Sequence, residues 1–564
     1  MVKPIHKHPE NSVVQLELRD SLEPLFPDSA VRRNPCRLTE LDLARGGTAA
    51  VHILITGLKE GVKLRLAVRG ASGPVHSARW WRLVDVPVEA NTGPIMCVEG
   101  TLKKPYLVPW QAWLADPIRY ARRTLKKRDI NSYVIRRAPF RVYDAMEPVA
   151  GALTASAATV ALRLHVPVPY DARPGRRKYE IGVRIGGEAR TLRLAARVHD
   201  KTVPAAGPNS FTYTNWFSYE NIAERHNLRI WSPAYWRMLR RYADLMHHAR
   251  QNAFWIPWEH IFTLRQAGPV LNRARLRRIV KTFTAAGLHW IESGHVAVRT
   301  GGKWLSPTFD LKLSPGVLAT SSAGLATLAG CLRELDAEIE RNGWRARWLQ
   351  HVADEPVEEN AADYRILAHT VRKHMPGAVI LDAVMASDLA GSVDIWCPLV
   401  HEFQQHRRTF ELQRADGDRI WCYTCLRPGG RWLNRLLDGE LLRPALLGWA
   451  MAFFRLDGFL HWGFNHYQKD QDPFRQSVVC QAGGPSVLPA GDTHIVYPGK
   501  DAPWSSLRLE SHREGFEDLE LLTHLRSKNL RIARRIARMA VRGFDRYVKG
   551  ARRFREARRA LLEA

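Results

Sequence analysis

Two adjacent carboxylic acids, Asp354 and Glu355, stand directly before Pro356 at the end of a predicted strand. Glycoside cleavage needs a proton donor for the leaving oxygen and, in most enzymes, a second carboxylate from another strand. Neighbouring strand residues point to opposite faces, so an adjacent pair bracketing one bond is unexpected. At a frayed strand end both can face the same opening, and Pro356 is expected to hold Glu355 extended. That arrangement suits substrate assistance, in which a sugar's own 2-acetamido oxygen attacks C1. Asp354 would orient the acetamide and stabilise the cationic oxazoline. Glu355 would protonate the leaving group and then activate water, which requires a raised pKa. The plain structural alternative is a pair of acids starting the next helix, where negative charge is favoured.

The elements that would position this pair follow from a change of rhythm along the chain. A length of 564 residues exceeds one ordinary domain. Residues 1–205 show short alternating runs between turn signals: Val13–Leu18, Val51–Thr56, Lys63–Val68, Tyr133–Tyr143, Thr159–Val166, Tyr179–Ile185 and Thr191–Val198. This predicts an N-terminal β-sandwich region. Pro204–Pro208 reads as a linker. Over 206–525, apolar strands alternate with helical patterns, which predicts a (β/α)8 TIM-like barrel of the α/β class. Its strands are expected at Ser210–Phe217, Phe254–Phe262, His289–His295, Trp348–Ala353, Ala378–Val384, Val393–Val400, Arg419–Cys425 and Gly458–Asn465. Predicted helices include His401–Gln413, Leu441–Leu456 and Ser505–His524. No Gly-rich phosphate fingerprint follows a strand, which argues against an open dinucleotide-binding sheet.

Barrel active sites lie where the strands end. The residues there are aromatic and polar: Trp216, Trp258, His260, Trp290, Trp396, Tyr423, Trp462 and Asn465, with Glu292, His295 and Asp382 among them. Aromatic faces and hydrogen-bonding groups suit sugar rings better than phosphates or metals. Cys422 and Cys425 have metal-ligand spacing, but no second pair follows to complete a zinc site. No cofactor is expected.

The formal charge of +28 comes from 84 Lys and Arg against 56 acids, and 66 of the 84 are Arg. Such a diffuse excess is what Arg-rich codon usage would give, with a polyanion partner as the alternative. The charge is densest in 526–564, with 14 basic residues against three acids. Apolar residues at helical spacing there predict a basic helical tail, either a solvated cap or a contact for a polyanion. No run of about 18 apolar residues is present to span a membrane. The first residues lack the apolar stretch of a signal peptide, so the expected location is the cytoplasm, or outside if a leader has been removed. Nothing in the sequence fixes an oligomeric state.

Several segments together resemble the domain-of-unknown-function family 4091, which includes the catalytic domain of glycoside hydrolase family 123. They are Trp81–Gly93, Tyr133–Phe140, Gly343-Trp344, Asp354-Glu355-Pro356, Val393–Pro398, Trp421–Cys425, Gly458–Gly463, Val496–Gly499, and Leu507–Glu510 with Arg513–Asp518. The resemblance implies a β-sandwich followed by a barrel. It implies a retaining β-N-acetylgalactosaminidase that works through the substrate acetamide. The family's acid pair falls on Asp354 and Glu355, and Tyr423 and Trp462 match positions near the acetamido group.

Two other readings compete. One is a non-catalytic carbohydrate- or polyanion-binding protein on a barrel scaffold. The other is a two-carboxylate glycosidase on another sugar, with Glu355 as acid and Glu292 or Glu402 as partner.

Overall fold

The computed structural model describes residues 13–99, 130–385, 388–481 and 486–564. Two sheets form the N-terminal sandwich. One runs Gln15–Asp20, Thr48–Thr56, Val160–Pro167, Arg79–Val88, Phe140–Val149 in spatial order. The other is built on Leu38–Arg45, Glu188–Thr202, Gly175–Ile185 and Lys63–Gly70. In Lys63–Gly70 every second residue is buried, so Leu64, Leu66 and Val68 face the opposite sheet. The predicted strand at Tyr133–Tyr143 begins only at Phe140. The preceding residues turn toward the barrel: Ile135 N–H bonds the Asp438 carbonyl, and Ala138 N–H bonds Asn91 Oδ1.

Eight parallel strands follow: β1 (Thr212–Asn215), β2 (Ala253–Ile256), β3 (Trp290–Ser293), β4 (Trp348–Gln350), β5 (Val379–Ala383), β6 (Ile395–Cys397), β7 (Arg419–Thr424) and β8 (Gly458–His461). Their spatial order is 1-8-7-6-5-4-3-2. The first and last in this order are joined by Asn252 N–H to the Tyr213 carbonyl, 3.2 Å, and by Tyr213 N–H to Asn252 Oδ1, 2.9 Å. The barrel is therefore nearly closed, and the expected TIM-like arrangement is present. The strands are shorter than their apolar runs suggest, because polar residues at the ends turn away to serve the loops.

Helices α1 (Pro233–His248), α2 (Arg273–Ala285), α3 (Ser322–Arg341) and α4 (Ala361–His374) cover the first half of the barrel. The predicted helix over 401–413 is two, α5 (Val400–Gln405) and α6 (Arg407–Ala415), broken at His406 with φ −105° and ψ 28°. Helices α7 (Arg443–Phe454) and α8 (Leu507–Lys528) complete the layer. They cross at two glycines. A β-carbon on Gly448 would lie 2.2 Å from the Gly515 carbonyl oxygen, and one on Gly515 would lie 2.1 Å from that of Ala445. Only glycine permits this approach. Residues 507–522 of α8 are all buried.

The basic tail folds as α9 (Leu530–Ala540), a short hairpin, and α10 (Ala551–Glu563). Phe554, Ala557, Leu561 and Leu562 bury one face of α10 against the barrel helices. On that helix Arg558 pairs with Asp518 at 2.9 Å, Arg555 with Asp20 at 2.8 Å and with Glu514, and Arg559 with Asp42 at 2.7 Å. Three of the tail's basic residues thus join it to sandwich and barrel, while most of the others face solvent. Among the described residues no helix is long and apolar enough to cross a membrane.

Candidate active site

Strand β4 delivers the acid pair. Beyond Gln350 the chain carries His351, Val352 and Ala353, then Asp354 and Glu355, over the C-terminal end of the barrel. Glu355 has φ +47°, the left-handed region, not the extended backbone expected before Pro356. A side chain other than glycine there is strained, and partners hold it. Arg299 donates to the Glu355 carbonyl, and the Tyr423 hydroxyl donates to Glu355 Oε1. The turn solves the problem of adjacency. Asp354 lies on the β3 side, with Oδ1 3.9 Å from His295 Nε2, while Glu355 reaches toward β7 and Tyr423. The two carboxyls span the opening instead of alternating across a strand.

Asp354 is enclosed by protein but keeps half its side-chain surface open to the barrel mouth. This enclosure, and next the charge of Glu355, push its carboxyl up to about 7, against Arg299. A proton therefore sits within the pair near neutrality. Burial and the Glu355 charge hold the Tyr423 hydroxyl well above its usual value, so it stays a donor. Arg427 lies beside them, with Nη2 3.0 Å from Met385 Sδ.

Below the pair runs a buried polar chain. Glu292 Oε1 accepts from Trp216 Nε1 at 2.7 Å and from His351 Nε2 at 2.9 Å, and its Oε2 accepts from Thr214 at 2.5 Å. His351 Nδ1 bonds Asp382 Oδ1 at 2.8 Å, while Asp382 Oδ2 takes Tyr364 Oη at 2.6 Å and Val352 N–H at 2.9 Å. Burial alone would depress the imidazole of His351. Its hydrogen bonds to Asp382 and Glu292, with their charges, lift it to about 9. His295, His351 and Asp382 each place a possible ligand atom within 4.8 Å of the others. In the structure His351 spends both ring nitrogens on hydrogen bonds, to Asp382 and Glu292.

The aromatic residues divide by strand alternation. Tyr423 and Trp421 face inward from β7, and partly buried Trp216 and Trp462 pack on the same inner cluster. Trp216 stacks on Trp255 with centroids 4.5 Å apart, and Trp462 donates to Asp492 Oδ1 at 3.2 Å. Trp396 faces outward instead: it bonds Asp418 at 2.8 Å and packs on Phe410 beneath the helices. Trp258 begins a short helix after Pro257 and is buried against Phe262, with its N–H on Ser293 Oγ. Trp290 heads β3 and so fills the floor of the barrel, the end away from the acids. Asn465 is fully buried and clasps Ser218 through both its amide atoms, at 2.8 and 3.1 Å. His260 sits on Tyr219 and pairs with Glu220 at 3.2 Å. These five residues serve packing or loop anchoring in the observed contacts. Glu292 is fully buried and bonded, and Glu402 on α5 is paired with His401 and His406. Cys422 packs outward and Cys425 inward, so the two thiols do not face one centre.

Residues whose role only the structure reveals are His351, Arg299, Tyr364 and Trp255. A signal for His351 exists: it lies three residues before Asp354 on the same short strand exit. Arg299 gives none, because its partner is a backbone carbonyl 56 residues away.

An eight-stranded parallel barrel with paired acids and an aromatic wall at the strand ends is the layout of a glycosidase. Residues 319–525 match the family described as glycoside hydrolase 123, catalytic domain. The match spans β4 to β8, includes Asp354 and Glu355, and supports a glycosidase. A solved family 123 glycoside hydrolase from Clostridium perfringens, described for glycolipid glycan hydrolysis, superposes with a TM-score of 0.71 at 12% identity, covering 98% of this chain and 97% of that one. This likeness establishes the shared fold. An endo-beta-1,4-mannanase from Thermotoga petrophila aligns at a TM-score of 0.35 and 8% identity over 56% of this chain and 77% of its own. No curated protein sequence matches the chain.

Proposed function

We propose that this protein removes a terminal β-linked 2-acetamido sugar, N-acetylgalactosamine first among the candidates, with retention through an oxazoline. The observation that carries this reading is the left-handed turn at Glu355, which lets adjacent acids address two sides of one opening. Asp354 orients the acetamide and balances the positive charge that forms as its oxygen attacks C1. Glu355 protonates the departing oxygen, then draws a proton from the water that opens the oxazoline. Trp216 and Trp462 offer apolar faces to the sugar. The Clostridium perfringens enzyme's description suggests glycolipid glycans as one source of substrate. A two-carboxylate mechanism finds less support, because Glu292 is enclosed by Trp216, Thr214 and His351.

The test is release of nitrophenol from paired 2-acetamido and 2-hydroxy β-glycosides. Cleavage confined to the acetamido set is expected, and equal rates on both would remove acetamide participation. Glu355→Gln and Asp354→Asn are each expected to lose on the order of 10²–10⁴ in rate.

A further inference from the structure

His295 presents a buried Nε2 that has no hydrogen-bond partner among the described residues. It faces two carboxylate oxygens, Asp382 Oδ1 at 3.6 Å and Asp354 Oδ1 at 3.9 Å. A nitrogen facing two such oxygens carries its hydrogen toward them, since a lone pair would be repelled. Asp382 Oδ1 already receives His351 Nδ1, whereas among the described residues no hydrogen bond reaches Asp354 Oδ1. The ring is fixed. Trp216 and Trp255 pack against it, each 5.4 Å between centroids, and His351 lies 4.9 Å away. Asp354 is the mobile partner, with half its side chain open. A swing of about 1 Å brings it to hydrogen-bond distance.

We propose that His295 is a positioning residue that takes ionised Asp354 by a hydrogen bond from Nε2, so that the acid meant to steady the oxazoline is held charged and in place. The proposal rests on the acetamido-glycosidase reading for its use, though the bond itself does not. The charge of Glu355 raises Asp354, so the two titrations are linked. The proton must be on Glu355 for protonation of the leaving oxygen, and Asp354 must be charged to steady the oxazoline. A donor on Asp354 favours that charge. The other charged or titratable groups facing Asp354 and His295 are Glu355, Arg299, Lys312, Asp382 and His351. Burial, and then the charge on His351, keep His295 itself well below its usual value, so it acts as a neutral donor.

The experiment titrates Asp354 by carbon-13 NMR in aspartate-labelled full-length protein, with its resonance assigned by its loss in Asp354→Asn. His295→Phe removes the donor, and His295→Gln keeps an N–H of similar reach. The Asp354 midpoint is expected to rise by about one pH unit in the Phe variant and to return in the Gln variant. In kinetics on an acetamido glycoside, kcat falls about tenfold or more in the Phe variant with KM little changed, and Gln recovers most of it. An unmoved midpoint in a folded Phe variant, or no recovery with Gln, overturns the assignment whatever the activity. A midpoint that shifts in the Phe variant, when the wild-type protein cleaves no acetamido glycoside, would keep the His295 bond and discard the proposed function.

Discussion

The phenol of Tyr423, rising from β7, is hydrogen-bonded to the carboxylate of Glu355, which arrives from the opposite quarter of the barrel after β4. This contact holds a strained left-handed residue in place and aims its acid. Tyr423→Phe keeps the ring in the inner cluster and removes the donor. The expected result is a folded protein with kcat/KM lowered about 10- to 100-fold, as for loss of a hydrogen bond to a charged group. Steady-state kinetics beside a thermal melt would check it. Unchanged kcat/KM would show that the contact has no part in turnover.

The acids titrate as a pair. Burial, and then the charge of Glu355, raise Asp354 to about 7. The state with one proton is the working one, so kcat/KM is expected to decline as pH rises through about 7. In Asp354→Asn the titrating carboxyl is gone, and the decline near pH 7 should be absent from the residual activity. A pH profile of both proteins decides this, and coincident alkaline limbs would refute it.

His351 makes folding pH-dependent. Its folded value of about 9 lies above the unfolded value of about 6.5. The folded state therefore binds the extra proton. Its stabilisation is complete below about pH 6.5 and is lost as pH climbs through 9. The change is on the order of 3 kcal/mol for this group. Urea denaturation at pH 6.5 and 9.5 should show the decline in the wild type. His351→Gln, less stable throughout, should show a flatter response between those two points.

At the α7–α8 crossing the backbones touch. Gly448→Ala would force a methyl group 2.2 Å from the Gly515 carbonyl oxygen, and both helices must part to admit it. A loss of about 1–3 kcal/mol or more is expected in denaturant titrations. Gly330, whose β-carbon would meet nothing within 4 Å, is the control: alanine there should be neutral or slightly stabilising.

The sequence made the barrel readable because its strands are apolar runs alternating with helical periods, and Ile395, Trp396 and Cys397 show the limit of that reading. The run marks a strand, but only the register reveals that Trp396 faces the helices while its neighbours face the axis. Trp258 and Trp290 depart for other reasons: Trp258 begins a short helix, and Trp290 heads its strand and so lies at the end away from the acids. Asp354 and Glu355 were visible as a pair. The turn that makes them useful was not, because the rule for a residue before proline favours extended backbone and contacts with Arg299 and Tyr423 override it. Long-range partners such as His351 with Glu292 follow from packing in three dimensions and leave no local pattern. The tail's charge was plain in composition, yet its partners Asp20, Asp42, Glu514 and Asp518 are spread over some 500 positions.

Helix α8 has no solvent side for most of its length. Against it press α7, α9, α10 and the Phe140–Val149 strand of the sandwich, whose Asp144 grips Arg508 at 2.9 Å. A helix enclosed from every direction behaves as a shared spine. The N-terminal sheets are thus no detachable accessory: excising them would bare a spine studded with ionised groups, and the catalytic half could not be borrowed by itself as a smaller enzyme.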